Sequence, residues 1–179
     1  GVYGRLDGDL ELRAEAEAGF ASGGPSLAAG VSALYLGTAG IYAHYTDALG
    51  APGADVTRSI AAGLHLEPLF LARYASDYEH GPARLDLLVD SFGLEVGSFW
   101  AAPRGYGLRR EPGLELAATL AVPLGARVFG PFLGLRGALR LRQDDAAAAL
   151  DRAGLFSLTL SFRTNVSLHL VDAGDALAR

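Results

Sequence analysis

The sequence contains no cysteine, no lysine and no methionine. Without cysteine there are no disulfides, no thiolate catalysis and no cysteine-ligated metal. All 15 basic residues are arginines, and they are scattered through a chain of net charge −5, a balance that argues against nucleic-acid binding. The chain opens on Gly1-Val2-Tyr3, which leaves two explanations for the missing initiator: a removed signal peptide or a trimmed sequence.

Long apolar runs are also missing. Half of the residues are hydrophobic and the mean hydropathy is +0.24, yet no apolar run reaches the ~18 residues that a membrane-spanning helix needs. A membrane protein of this composition has to be a closed barrel, because open sheet edges cannot lie in lipid. The length of 179 residues predicts one domain over 1–179, with 172–179 as a flexible C-terminal tail.

What the sequence does contain is strict alternation. From Asp9 to Phe20 the even positions are apolar, and the odd positions up to Glu17 are all charged. A helix would scatter these charges around its surface, whereas a strand places all five on one face. The same pattern predicts eight strands, at 9–20, 27–36, 39–46, 57–67, 90–100, 114–124, 132–142 and from 154 onward, the last continuing as far as 171.

The predicted connections are unequal in length. A turn at 22–25, a reversal at Gly37-Thr38 and a loop at 47–55 separate the first four strands. An irregular insertion follows at 68–87, with a short helix at 70–78 and an ambiguous stretch at 85–88. A loop at 101–113 comes next, and then an acidic, alanine-rich loop at 143–153 with one or two helical turns. Strands of about 10 to 12 residues suit a tilted crossing of a bilayer.

The polar face favours a closed barrel over an open sandwich, because it carries glycines such as Gly19, Gly30, Gly63 and Gly93. Small residues make room for large side chains inside a narrow barrel, whereas on a solvent face they only weaken a strand. Closure would pair the acidic first strand with the eighth, near the arginine-rich seventh. The predicted lumen network comprises Glu11, Arg13, Glu15, Glu17, His65, Glu67, Glu95, Glu115, Arg136, Arg140, Arg142 and Arg163.

The segment from Gly154 to Phe162 resembles the C-terminal strand signal of bacterial outer-membrane barrels, with alternating hydrophobes that end on an aromatic residue. In strand count and size the whole chain resembles the small eight-stranded members of that class. This resemblance implies an antiparallel up-and-down transmembrane β-barrel in the outer membrane. The pattern departs from the class in one respect, because the chain continues from Arg163 to Arg179 beyond the aromatic residue.

An alternative fold assigns the opposite facing to the same residues. A soluble β-barrel or sandwich would turn the leucine and alanine face inward and enclose a hydrophobic ligand. The two interpretations differ on which side of each strand is buried.

No group of residues reaches the level of a catalytic prediction. His44, His65 and Glu67 share the polar face, but they are more simply interpreted as members of the polar interior than as metal ligands. Ser167 and His169 share a face, so an outer-membrane lipid-modifying esterase is a second alternative, although no acid or oxyanion donor can be placed beside them. We therefore predict no enzyme activity, no metal and no cofactor.

The expected role is structural, envelope-anchoring or partner-binding. The irregular segment is the predicted partner contact, through Phe70, Arg73, Tyr74 and Tyr78. Outer-membrane lipid and another envelope protein are the expected partners. Aromatic residues near strand ends predict interfacial girdles, at Tyr35, Tyr45, Phe99, Trp100, Phe132, Phe156 and Phe162.

Overall fold

The structure is a computed structural model that describes residues 9–21, 24–49, 56–76, 81–109, 111–125, 128–144 and 149–168. Eight strands and two short helices make up most of these ranges. The strands are β1 Leu10–Ala21, β2 Gly24–Tyr35, β3 Ala39–Asp47, β4 Val56–Leu66, β5 Gly93–Pro103, β6 Gly113–Pro123, β7 Gly130–Asp144 and β8 Ala149–Val166. The helices α1 (Pro68–Ala75) and α2 (Ala83–Asp90) both lie between β4 and β5.

The strands form a closed antiparallel barrel in sequence order. Each strand pairs with its neighbours, and β1 pairs with β8 from Leu10 opposite Val166 to Ala21 opposite Leu155. Closure gives both edges of the sheet a partner, which satisfies backbone groups that lipid cannot satisfy. The eight-stranded antiparallel barrel predicted from the alternation is confirmed.

The two ends of the barrel are built differently. At the terminus end β1 begins and β8 ends, and the β2–β3, β4–β5 and β6–β7 connections lie there. The hairpin end carries the other four connections. The longest connection, which contains α1 and α2, is therefore on the same side as the start of β1 and the end of β8.

Strand alternation places the charged face inward. Glu11, Arg13 and Glu17 are 1%, 4% and 5% exposed, while the apolar residues between them face outward. The alternative of a soluble barrel with its leucine face inside is wrong, because most described leucines of the strands point away from the lumen, with Leu34 and Leu155 as inward exceptions. Phe99 and Phe132 are also buried inside, so their predicted place in an aromatic girdle is wrong.

Several predicted boundaries need correction. The fifth strand begins at Gly93 rather than Asp90, because α2 continues to Asp90. No helical turn forms at Gln143, Asp144 or 149–153, since these residues extend the β7–β8 ladder and satisfy their backbone groups there. The second strand begins at Gly24, inside the predicted turn, and β8 ends at Val166 rather than 171. The predicted tail at 172–179 lies outside the described residues.

The tight reversal at Gly37-Thr38 is confirmed. Leu36 and Gly37 have φ of 49° and 61°, and the Thr38 N–H donates to the Tyr35 carbonyl at 3.0 Å. Glycine adopts this left-handed conformation without the steric cost that a side chain adds.

The two helices pack on each other and on β6. Arg73 of α1 donates to the Asp90 carboxylate at 2.9 Å and also pairs with Asp86. Ser91, directly after α2, accepts the Ala121 N–H at 2.8 Å on β6. Neither of these helices has the length and apolar character needed to cross a membrane.

Candidate functional site: the charged interior of the barrel

Inward positions of the strands bring most of the predicted network into one buried column. Ten of the twelve predicted residues are at most 5% exposed: Glu11, Arg13, Glu17, His65, Glu67, Glu95, Glu115, Arg136, Arg140 and Arg163. Glu15 and Arg142 face the same side but are only half-buried. Buried charges of this kind require partners, because desolvation costs several kcal/mol (order of magnitude) per ion.

A lower cluster lies toward the terminus end. Arg13 bridges two carboxylates, with its Nε 2.6 Å from Glu11 Oε1 and its Nη1 2.7 Å from Glu67 Oε1. Arg163 lies directly opposite Arg13 in the β1–β8 ladder, and its Nη1 is 3.7 Å from Glu11 Oε1. The Arg163 guanidinium also stacks on the Phe132 ring at 4.0 Å. Two adjacent guanidinium groups are thus held by two carboxylates and an aromatic face.

An upper cluster joins side chains of four strands, β3, β5, β6 and β7. Arg136 Nη2 lies 2.8 Å from Glu95 Oε2 and 2.7 Å from Glu115 Oε1. Arg140 Nε donates to Glu115 Oε2 at 2.5 Å. Glu115 also accepts the Tyr42 hydroxyl at 3.2 Å. Because Glu115 is fully buried and serves two arginines, it is the central anion of this cluster.

Two histidines complete the column. His44 Nδ1 lies 2.7 Å from Glu17 Oε1, and His65 Nδ1 lies 3.1 Å from Glu95 Oε1. Their rings occupy space left by glycine: a Cβ built at Gly30 would lie 2.5 Å from His44 Nδ1, and one at Gly93 would lie 2.6 Å from His65 Nε2. The expected role of lumen glycines, to make room for large side chains, holds at these two positions.

The structure shows how the acids and arginines of the interior are paired. Arg136 and Arg140 of β7 form ion pairs with Glu95 of β5 and Glu115 of β6. The acids of β1 instead pair with Arg13 on the same strand, with Arg163 on β8 and with His44 on β3. Long arginine side chains that start on one wall of a narrow barrel reach the acids two strands away.

Sequence reasoning missed two polar residues of the network, because their partners are distant in the sequence. Ser59 accepts Arg140 Nη1 at 2.6 Å, and Ser157 donates to Glu17 Oε2 at 2.5 Å. Each is separated from its partner by more than 80 residues of sequence. Only their position on the inward face was visible in the alternation.

The residues of the predicted partner contact do not form one exposed surface. Phe70 is 1% exposed, and Arg73 is paired with Asp86 and Asp90. The side chain of Tyr74 and the whole of Tyr78 lie outside the part that the structure describes. The exposed apolar side chains of the helices are Leu69, Leu71 and Leu85.

The side chains considered as metal ligands are grouped differently from the sequence-based expectation. Donor atoms of Glu15, Glu17 and His44 lie within 4.8 Å of one another, rather than those of His44, His65 and Glu67. Within this group, His44 Nδ1 lies 2.7 Å from Glu17 Oε1. Of the pair considered for ester cleavage, Ser167 is exposed beyond the end of β8, and His169 lies outside the described residues.

Solved structures of other proteins share this barrel fold. The barrel is similar to the N-terminal β-barrel domain of Pseudomonas aeruginosa OprF, with 9% identity over 86% of this chain and 97% of that domain and a TM-score of 0.53. In fold, this chain resembles the small eight-stranded outer-membrane barrels. Neisserial surface protein A (NspA) is 14% identical over 86% of this chain and 96% of that protein, with a TM-score of 0.46. The de novo designed TMB2.3 is 12% identical over 89% of this chain and 98% of the designed protein, also with a TM-score of 0.46. No protein-family model and no curated protein matches the sequence.

Proposed function

We propose that the protein is a non-enzymatic barrel of a bacterial outer membrane, with a structural or envelope-anchoring role. The observation that carries this proposal is the apolar belt. Every strand exposes at least two large hydrophobic side chains, among them Phe20 at 68%, Ile41 at 63% and Leu64 at 56%. A belt of this extent around a molecule is far larger than the apolar patches of soluble monomers, and lipid covers it without cost.

The interior supports an anchoring role over a transport role. Eight strands enclose a space just wide enough for side chains, and here ion pairs fill it from Glu11 to Arg140. At the terminus end, α1 and α2 add a layer that includes the buried Phe70 and Leu87. A rigid filled barrel is suited to hold loops and helices at a membrane surface.

Extraction and electrophoretic mobility test this proposal. Cells expressing the chain with an export signal are fractionated, and the washed membranes are extracted with detergent. We expect the protein in the outer-membrane fraction, soluble only with detergent, and running at different mobilities with and without boiling. A monodisperse protein in detergent-free buffer would contradict the membrane assignment.

A partner-binding role is proposed for the helix pair as a second function. Its support is the exposure of Leu71 (57%) and Leu85 (53%) on helices that are anchored at the terminus end. A photo-crosslinking residue at Leu71 should capture one envelope protein, while the same residue at Leu160 on the apolar belt should capture none. Equal results at both positions would exclude a specific protein contact at the helices.

A further inference from the structure

A cavity of about 130 Å³ lies at the hairpin end of the lumen, directly above the upper ion-pair cluster. Strands from both sides of the barrel contribute to its wall. The lining side chains are Ala21, Thr46, Ala48, Val56, Thr57, Arg58, Ser59, Phe99, Ala101, Arg140, Arg142, Ala153 and Leu155. None of these described lining residues is acidic, whereas three are arginines.

Arg140 forms the charged part of this cavity. It is 5% exposed, and two of its three nitrogens are used, Nε by Glu115 and Nη1 by Ser59. Its Nη2 is buried and has no hydrogen-bond partner among the described residues. Leaving a buried donor of a charged group unsatisfied costs ~1–3 kcal/mol or more, so an acceptor placed here would be stabilised.

Local charge also favours an anion. Glu115 pairs with both Arg136 and Arg140, so its single negative charge is divided between two guanidinium groups. Arg58 at the rim has a longer contact, 3.5 Å, to Asp47. Of the three arginines in the wall, Arg140 is the most buried, at 5% exposed, so water screens its charge least.

The uncharged part of the wall is mainly apolar, with Thr46, Thr57 and Ser59 as its polar side chains. The Phe99 ring lies under the Arg140 guanidinium at 5.1 Å, and Ala48, Ala101 and Leu155 line the same space. Dry apolar cavities of similar volume, ~150 Å³, hold a benzene molecule. Inorganic phosphate would leave this apolar surface uncovered, whereas an anion with a hydrocarbon body of about six carbons would fill it.

We propose that this cavity binds a small monocarboxylate with an apolar body. The carboxylate accepts from Arg140 Nη2, and the hydrocarbon part packs against Phe99 and Ala101. The site depends on the closed barrel but not on the membrane location, so it stands or falls separately from the anchoring role.

Benzoate is the probe, and the full chain refolded in detergent micelles is the sample. Isothermal titration should show saturable 1:1 binding of benzoate, and none of benzyl alcohol, which has the same ring without the charge. Binding of benzoate should not be displaced by equimolar inorganic phosphate. Saturable binding of benzyl alcohol, or phosphate binding as tight as that of benzoate, would overturn the assignment of a carboxylate with an apolar body.

Two variants, each with a control, test separately the charge of Arg140 and the free volume of the cavity. Arg140→Gln should weaken benzoate binding at least tenfold, while Arg58→Gln at the rim should weaken it less than threefold. Ala101→Leu keeps every charge but fills the cavity, so it should abolish binding, whereas Ala16→Leu on the outward face should not change it. Retention of wild-type affinity by Ala101→Leu, checked as folded by its mobility without boiling, would overturn the proposal even if Arg140→Gln did not fold.

Discussion

At the scale of single residues, the barrel depends on a few side chains that each serve several partners. Glu115 accepts from Arg136, Arg140 and Tyr42 and is 0% exposed. Removing one partner of a buried ion pair lowers the free energy of unfolding by more than the pair contributed to it, because the other charge stays buried without a partner. Such residues are therefore sensitive to substitution, whereas ion pairs at the rim are not.

Glu115→Gln tests this difference. The change leaves Arg140 without a carboxylate partner, so we expect a loss of about 3–5 kcal/mol in the free energy of unfolding. The control is Arg58→Gln, whose side chain is 66% exposed in its pair with Asp47, and which should cost at most ~1 kcal/mol. Urea titration in lipid vesicles, followed by Trp100 fluorescence, measures both; equal losses would show that burial does not decide the effect.

Gly30 provides a second test at this scale. A Cβ at this position would lie 2.5 Å from His44 Nδ1, so Gly30→Ala should displace the imidazole from Glu17 and destabilise the barrel by ~1–3 kcal/mol. Gly137 on β7 has open space where a methyl group would be added, with no described atom within 4 Å of that position. Gly137→Ala should be neutral or stabilise slightly, and a larger loss there than at Gly30 would contradict the steric explanation.

At the scale of elements, adjacent residues of each strand face opposite environments, one outside the barrel and the other inside the lumen. Leu160 on β8 is 52% exposed, while its neighbours Thr159 and Ser161 are 7% and 5% exposed. A shift of one residue in register would place the leucines in the lumen and the charges on the outward face. The alternation of outward apolar and inward polar residues therefore fixes the register of all eight strands.

Leu160→Arg tests which face meets lipid. Leu160 is opposite Ala16 and Leu133, in the interior of the sheet, so we expect a loss of ~2–4 kcal/mol and a reduced yield of the fast-migrating folded form. Leu114→Arg, at the hairpin end of β6, should cost only ~0–1 kcal/mol. Folding yields are compared by gel mobility without boiling; wild-type yield for Leu160→Arg would contradict a lipid-facing strand.

The helix pair is the element whose position depends on the fewest contacts. Arg73 connects α1 to the buried Asp86 and Asp90 of α2. Arg73→Gln removes this charge pairing, so α1 should separate from α2 and the β4–β5 connection should be cut by chymotrypsin at least several-fold faster. Arg84→Gln changes an exposed arginine of α2 and should leave the cleavage rate unchanged; an intact barrel fragment confirms that the effect is local.

At the scale of the whole molecule, the column of ion pairs fills the lumen. The helix pair lies at the terminus end and packs on β6. We expect that replacing 68–90 by a short glycine–serine turn leaves the conductance of the protein in planar bilayers near background, because the ion pairs still fill the barrel. A large, steady conductance in this variant would show that the helices alone block the lumen.

Prediction from sequence succeeded where periodicity carries the information. Alternation predicted the strand count and which side chains share a face, because a strand repeats every two residues. The glycines and opposite charges on the polar face predicted that this face lies inside and that β1 pairs with β8. Sequence reasoning placed α1 at 70–78 instead of Pro68–Ala75 and left α2 ambiguous. It failed at Gln143, Asp144 and 149–153, where alanine and leucine suit either a helix or a strand. It also failed on partners in the lumen: Arg140 and Ser59 are distant in sequence and meet only because the barrel is narrow.

The sequence by itself determined the alternation, and with it which side chains share a face. Which face lies inside, and which acid meets which arginine, was decided only by closure. When β8 joins β1, the charges on eight inward faces come within hydrogen-bond distance of one another and neutralise each other, whereas the leucines on the outward faces have no protein surface left to cover them. Closure of the sheet by backbone hydrogen bonds thus has two consequences. The charges are buried in pairs, and the apolar side chains are exposed on the outside.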